Sequence, residues 1–513
     1  MDAVLVLPRR SPTRFSARRF RAAPSWLAVT TLLAHGCGSQ RPDGAARAAA
    51  APGRDASLAE EPDGSGAADE ASASDALDDG ASDAADAGAA IDAAAPEGGV
   101  VGDRTGVAAV RVSDFLQTIG VCTHMAQGVD DPASSATAMA YAGIRNLRDD
   151  GYPSAVSKWI AVYRQAVVRT CMLPNSDIPT TIDMAKQLSA AGALLAVEGP
   201  NEPNNFAVTY QGAKSSSTTF APVAHFQRDL YAAVRAEPAL AGIPVFHSSE
   251  AGGSEPDNVG LQFLTIPAGA GTTMPDGTRY ADYANTHNYV CGHSHQLVDN
   301  VCWNASDPTL NGDWDGLYVE YGHTWHGGFA GYSNSALATL PRVTTETGWV
   351  TSGTGAITAE QQGRILLNLY LAAFKRGWSY TFVYMLRDDP VQGDWGLFDT
   401  SYQPKRSGTY LHNLTTVLGD TGSRPPGLLD YSIANEPSTV HDLLMQKSDG
   451  TFELAVWNER PSGGTDTVTV DLGAVRAIVK VYDATMGTTP VQTLNAASSV
   501  TLTLSDHVVV IEI

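Results

Sequence analysis

Two carboxylates carry the chemistry this sequence can offer. Glu202 lies in AVEGPNEPNN (residues 196–205), and Glu346 lies in PRVTTETGWV (residues 341–350). Each follows an apolar, β-branched run, which predicts a place at the end of a strand. Two carboxyl groups about 5 to 5.5 Å apart can break a glycosidic bond with retention: one donates a proton to the leaving oxygen while the other attacks the anomeric carbon. Glu198, four residues before Glu202, raises the question of which glutamates form the pair. Glu198, Pro200 and Glu202 share parity on a strand, so Glu198 is expected to point inward about two layers below the strand end. A carboxylate that deep needs a cationic or hydrogen-bonding partner, and Arg145 and Arg169 on neighbouring runs are candidates. Glu198 is therefore expected to be structural.

The elements that must bring Glu202 to Glu346 can be read from alternation. Eight short β-rich runs occur, at 118–125, 143–151, 167–175, 193–203, 242–250, 281–290, 341–350 and 380–389. Helical patterns separate several of them, at 180–192, 220–238 and 359–377, with apolar residues three and four apart. Strand-then-helix alternation over this length predicts an α/β fold, a (β/α)8 barrel spanning residues 106–425 with insertions. The polar residues gather at one end of the runs: Thr123 and His124, Arg148, Asn175, Glu202, His247 and Glu250, His287 and Tyr289, Glu346, and Arg387 and Asp388. A barrel collects its chemistry at the C-terminal ends of its strands, and this bias matches that rule. Residues 426–513 change to strands and turns, with a hairpin turn at Ser448-Asp449-Gly450, and predict a small all-β sandwich. That domain reads either as a carbohydrate-binding module or as packing support for the barrel.

VEGPNEPN resembles the Asn-Glu-Pro signature of glycoside hydrolase clan A, and TTETGW resembles that clan's nucleophile strand. The resemblance covers roughly residues 116 to 425, and a trailing β-sandwich also resembles several clan members, including family 39, with family 5-like members also similar. It implies Glu202 as general acid/base and Glu346 as nucleophile in a retaining double displacement through a covalent glycosyl-enzyme. It further implies that Asn201 bonds the sugar 2-hydroxyl, that His287 and Tyr289 lie beside the nucleophile, and that Arg148 holds Glu346 ionised. His124, Asn175 and Trp349 are further candidates for the sugar subsite, with Glu250 and Asp388. Many clan members carry a Trp on the eighth strand as a floor for the sugar, where this chain has FVYMLRDD. Tyr384 or Trp395 would have to take that place. The long insertion from Val290 to Ser335 adds Trp303, Trp314, Tyr318, Trp325 and His326, which can either stack on sugars or pack the loop.

The N-terminal hundred residues contribute nothing to this core. Six arginines between Arg9 and Arg21, the apolar stretch Trp26–Ala34 and Gly36-Cys37 read as an export signal ending at residue 37. LLAHGCGSQ resembles a bacterial lipoprotein signal, with Cys37 the lipidated residue, and implies a cell-envelope protein whose membrane contact is that anchor; the alternative is an ordinary signal peptide with Cys37 incidental and the protein secreted. Residues 38–105 are mostly Ala, Asp, Gly, Ser and Glu, too poor in large apolar groups to offset the entropy of ordering. Fifteen acids against four arginines there make up half of the net charge of −22, so the charge describes a disordered linker more than a ligand. The remainder is still acidic, which argues against a nucleic-acid partner. A carbohydrate is the expected substrate and no cofactor is implied. Cys291 and Cys302 flank a polar loop and are candidates for a disulfide, while Cys122 and Cys171 lie in apolar segments and read as buried thiols. Two alternatives remain: an inactive barrel retained as a glycan-binding surface lipoprotein, and a metal-dependent barrel hydrolase. The second would want His-x-His on the first strand, where only His124 stands.

Overall fold

The computed structural model describes residues 106–513 except 204, 217–218, 250–262, 291–295 and 310–331. The export segment, Cys37, the acidic linker, Glu250, Cys291 and the insertion aromatics Trp314, Tyr318, Trp325 and His326 lie outside the described residues.

Two short strands, β1 (Val107–Ala108) and β2 (Val110–Arg111), lead through α1 (Val112–Gln117) into the barrel. Its strands are β3 (Ile119–Cys122), β4 (Asn146–Asp149), β5 (Arg169–Met172) and β6 (Leu194–Val197), followed by a small hairpin of β7 (Thr209–Tyr210) and β8 (Ala213–Lys214) outside the barrel. Then come β9 (Ala284–Thr286), β10 (Arg342–Thr347) and β11 (Trp378–Val383). The seven barrel strands pair in the order β6-β5-β4-β3-β11-β10-β9, parallel throughout. The sheet would be open between β6 and β9, and residues 245–249 close it. Val197 bridges Val245, and Phe246 bridges Tyr283, both parallel. The Phe246 amide donates to Val197 O at 2.9 Å and the His247 amide to Tyr283 O at 3.0 Å. All eight expected runs are therefore present, the fifth as a bridged segment rather than a regular strand.

Helices cover the outside: α2 (Pro132–Ala142), α3 (Val156–Ala166), α4 (Ile178–Ala190), α5 (Ala221–Ala236), the short α6 (Val301–Ala305) and α7 (Asn334–Thr339), α8 (Ala359–Lys375) and α9 (Arg406–Val417). Their starts are written in local chemistry. Asp131 and Asp177 accept from the third residue on, each ahead of a proline in the first turn, and Thr358 and Gln361 close a capping box on α8. α8 is apolar around most of its circumference because it is covered twice, by the barrel and by the C-terminal domain.

That domain holds β12 (Leu428–Leu429), β13 (Ser432–Ala434), β14 (Val440–Gln446), β15 (Phe452–Asn458), β16 (Asp466–Asp483), β17 (Gln492–Leu504) and β18 (Val508–Glu512). One hydrogen-bonded sheet runs β13-β16-β18-β15-β14-β2, with β17 paired to β16. Alternate residues of β14, β15 and β18 serve two cores. Leu443, Met445, Ala455, Trp457, Val508 and Val510 join the barrel's apolar cluster, whereas Leu444, Leu454, Val456, Val509 and Ile511 meet Val468, Val470, Val500 and Leu502 of the long hairpin. The packing is that of a sandwich laid on the barrel. Its edge is completed by the first described residues: β1 pairs antiparallel with β12, and β2 pairs parallel with β14. Among the described residues no helix is long and apolar enough to cross a membrane.

Cys302 corrects one expectation. It is a free, fully buried thiol on α6 whose Sγ donates to Ile365 O at 3.3 Å, so no disulfide joins it to Cys291. The polar loop suggested a bridge, but Cys302 falls on the face of α6 that packs against α8. Cys122 and Cys171 are buried thiols, as expected.

Candidate active site

The site lies at the C-terminal ends of the barrel strands and is organised by Arg148. Asn146 and Arg148 share a face of β4, while Leu147 faces the helices. The Arg148 guanidinium is fully buried. Its Nε and Nη2 donate to the two oxygens of Glu198 at 2.7 and 2.8 Å, and its Nη1 donates to Glu346 Oε1 at 2.6 Å. Nη2 also donates to Asn201 Oδ1 at 2.7 Å. Glu198 is thus the buried inward carboxylate that parity predicts, but its partner is Arg148, not Arg145 or Arg169. Arg145 has the opposite parity to Arg148, and Arg169 opens β5 at the far end of the barrel from this site. Burial works against the Arg148 charge, but the two glutamates outweigh it and raise its pKa well above the ordinary value.

The remaining oxygens are accounted for strand by strand. Glu346 Oε2 accepts from Tyr289 Oη at 2.8 Å. Glu202 Oε1 lies 2.7 Å from His287 Nδ1, and its Oε2 accepts from Asn205 Nδ2 at 3.1 Å. His287 Nε2 lies 3.1 Å from Thr345 Oγ1, and Thr345 Oγ1 donates its single proton toward Glu198 Oε1 at 2.9 Å or Asn285 Oδ1 at 3.0 Å. The His287 ring thus joins Glu202 on one side to Thr345 on the other. Burial pushes the Glu202 carboxyl up, yet the hydrogen bond and charge of His287, with Asn205 and Arg148, prevail and hold it below the usual carboxylate range.

A carboxylate oxygen of Glu202, one of Glu346 and a ring nitrogen of His287 all lie within 4.8 Å of one another. The spacing of these three groups is one that a cation also accepts. The carboxylate oxygens are already bonded to Arg148, Tyr289, His287 and Asn205, however, and a cation would have to compete with these contacts. Glu202 itself has φ of +38°, a left-handed conformation that costs a non-glycine residue about 1 to 3 kcal/mol and concentrates at functional sites. The amides of Asn205 and Phe206 both donate to its carbonyl at 2.8 Å and hold the turn.

The other expected residues divide. His287 bridges the two glutamates, with Nδ1 nearer Glu202 and 3.6 Å from Glu346 Oε2, rather than serving the nucleophile alone. Asn201 Nδ2 is a buried donor with no partner among the described residues, and the bond from Arg148 to Oδ1 fixes that amide's orientation. Tyr384 and the half-buried Trp395 both line the site: Trp395 packs edge-on against Tyr289 at 5.5 Å and against Tyr384 at 5.9 Å. His124 is buried beside Tyr384, with Nδ1 3.5 Å from Asp389. Its imidazole is disfavoured as a cation by burial, but Asp389 and three further aspartates raise it, while Asp389 is pulled down to about 2 by the same contact. Asn175 and Trp349 do not join. Asn175 ties the loop before α4 by donating to Gly151 O, and Trp349 is wholly buried in the core, its indole donating to Gly355 O. Asp388 pairs with Lys405 at 2.8 Å.

Alternation alone misses Thr345 and Asn285. Thr345 and Glu346 are neighbours, so strict pleating would send only one of them inward, but the register of β10 against β11 shifts between Thr344 and Thr347, and the irregularity turns both toward the site. Asn285 shares parity with His287, which is a legible signal.

No protein-family model and no curated protein matches this chain. Among solved structures it is similar to a family 39 glycoside hydrolase from Bacteroides cellulosilyticus WH2, at 13% identity and a TM-score of 0.48 over 78% of this chain and 82% of that one. It is similar to a glucosidase from Croceicoccus marinus at 12% identity and a TM-score of 0.48, covering 80% and 99%, and to a GH30 endoxylanase from Clostridium papyrosolvens C71 at 12% and 0.45, covering 80% and 97%. Likeness at this level leaves reaction and substrate to be argued from the site.

Proposed function

We propose that the chain is a retaining glycoside hydrolase that cleaves O-glycosidic bonds by double displacement. The observation that carries this is the convergence of Glu202 and Glu346 from different barrel strands to within 4.8 Å, each in a different hydrogen-bonding environment. That spacing supports a direct attack over inversion, which interposes a water between carboxyls about 6.5 to 9.5 Å apart. Glu346 accepts on both oxygens from Arg148 and Tyr289, which orients it and keeps a lone pair directed at the anomeric carbon. As it attacks, the Tyr289 hydroxyl is the bond that can lengthen, while Arg148 stays anchored by Glu198.

Glu202, bonded to His287, supplies the leaving-group proton. Exclusion of water by the bound sugar favours the neutral, protonated form of its carboxyl. In the second step Glu202 takes a proton from a water whose oxygen bonds the anomeric carbon as the bond from that carbon to Glu346 breaks, which leaves Glu202 protonated and Glu346 free. Asn201 Nδ2 is the unsatisfied donor that a sugar hydroxyl would meet, and Trp395 with Tyr384 offers the aromatic surface.

The test is turnover of aryl glycosides by the wild type and two variants. Glu346→Ala is expected to lose about 10⁴-fold or more in kcat, comparable to loss of other covalent nucleophiles. Glu202→Ala is expected to lose about 10²-fold or more on poor leaving groups and little on dinitrophenyl glycosides. Full turnover by Glu346→Ala would overturn the assignment.

A further inference from the structure

The short helix α6, in the insertion that follows β9, is held at both ends. At its start stands Glu459, the residue after β15, fully buried between the two domains. Its Oε2 accepts from the amides of Cys302 at 2.8 Å and Trp303 at 3.0 Å, its Oε1 accepts from Trp457 Nε1 at 3.2 Å, and its carbonyl accepts from the Asn300 amide at 3.1 Å. Trp303 is stacked on His441 of β14 at 4.1 Å, with the Arg376 guanidinium 3.9 Å from its ring centre. At the other end, the carbonyl of Ala305 accepts from Asn288 Nδ2 at 2.7 Å, and that of Ser306 accepts from Trp378 Nε1 at 2.8 Å.

Asn288 is the residue between His287, whose Nδ1 lies 2.7 Å from Glu202 Oε1, and Tyr289, which donates to Glu346. Its own carbonyl accepts from Thr347 Oγ1 at 3.0 Å, next to Glu346 in the chain. Asn288 lies beyond the last residue of β9, so the sheet's ladder does not fix it. α6 does, and Glu459 in turn fixes α6. A five-residue helix has almost no stability of its own and leaves its first amides unpaired, so a buried acceptor there decides whether it forms.

We propose that Glu459 of the C-terminal domain is a positioning residue for the catalytic pair, acting through α6 and Asn288 on His287 and Tyr289. The carboxylate sets the place of α6, Ala305 sets Asn288, and Asn288 sets the two side chains that orient Glu202 and Glu346. The β-domain is thereby a part of the active site's frame in addition to covering α8. This inference rests on the glycosidase reading for its kinetic consequence and stands apart from it in its structural one.

The experiment compares wild type, Glu459→Ala, the conservative Glu459→Gln, and Asn288→Asp, which keeps the shape of Asn288 and removes its donor. Kinetics are taken over aryl glycosides of graded leaving-group pKa, and amide hydrogen exchange is followed over residues 284–290. Glu459→Ala and Asn288→Asp are expected to lose about 10- to 100-fold in kcat on poor leaving groups, less on good ones, with KM little changed. Glu459→Gln, which keeps an acceptor for the α6 amides, is expected to recover part of that loss. The Glu459→Ala/Asn288→Asp double variant should be no worse than the poorer single variant. Exchange over 284–290 should speed up at least tenfold in Glu459→Ala, or, if that variant does not fold, in Asn288→Asp. Wild-type exchange in folded variants, or equal losses on all leaving groups that add in the double variant, would overturn the proposal. If the wild type cleaves no glycoside, the glycosidase reading fails while the exchange result still decides the coupling.

Discussion

Arg148 shows how one residue can set the roles of three others. Its side-on face is taken by Glu198, so only Nη1 reaches Glu346, and Glu346 keeps an oxygen for Tyr289. Glu198 is therefore the counter-charge that makes a fully buried arginine tolerable. Breaking a buried pair costs about 3 to 5 kcal/mol, and Glu198→Gln leaves Arg148 with Glu346 as its remaining carboxylate, which puts the loss at the lower end. Glu198→Gln is expected to lower the free energy of unfolding by roughly 3 kcal/mol, measured by urea denaturation, while reducing turnover far less than Glu346→Ala. An unchanged stability would mean that Glu346 alone compensates the Arg148 charge. Parity made Glu198 legible as an inward, structural carboxylate. It did not identify Arg148 as the partner, because that pairing depends on how strands β4 and β6 are staggered around the closed barrel.

At the scale of elements, the segment that leads to Glu202 is positioned by close approach of the fifth segment. A Cβ on Gly199 would lie 1.9 Å from Gln227 Oε1 and 2.5 Å from the Ser248 amide nitrogen, so neither the fifth segment nor α5 leaves room for it. Gln227 is itself buried and donates to Tyr280 O at 3.0 Å, which prevents an easy retreat. Gly199→Ala is expected to destabilise by about 1 to 3 kcal/mol, and to lower kcat because Asn201 and Glu202 follow directly. Thermal unfolding alongside aryl-glycoside kinetics checks both, and a variant as stable as wild type would show that the fifth segment yields. The glycine was readable in EGPNE, but its reason was not. The same holds for β10, where alternation predicts one inward residue and the irregular register delivers Thr345 and Glu346 together.

Across the whole molecule, the seam between barrel and β-domain carries buried acids. Burial pushes Glu459 up from 4.5 to about 7, against the pull of the Trp303, Trp457 and Cys302 donors and of Arg376. Burial likewise raises Asp506 to about 7, with the charge of Glu459 adding and Arg364 opposing, and raises Glu453 to about 7 against Lys447. A carboxyl whose pKa is higher in the folded state binds its proton more tightly there. Its stabilising contribution is fully present below about pH 4 and is lost as pH rises through about 7. Compared with Glu459→Gln, the wild type should hold its largest stability advantage near pH 4.5 and the smallest above pH 7.5, measured by urea denaturation across that range. A gap that widened with rising pH would reverse the sign and the account.

By itself the sequence determined the order of strands and helices, the end of the barrel where polar groups collect, and the two glutamates whose contexts set them apart. These are local properties, written in periodicity, capping residues and the parity of a strand. Tertiary structure alone decided the pairings across the barrel. It gave Arg148 to Glu198 and Glu346, set His287 against Glu202, sank Trp349 into the core and left Cys302 a free thiol against α8. It also folded residues 107–111 into the C-terminal sheet. The physical reason is that stagger, register shifts and domain packing depend on partners distant in sequence, and a periodic pattern carries no record of which distant strand it will face.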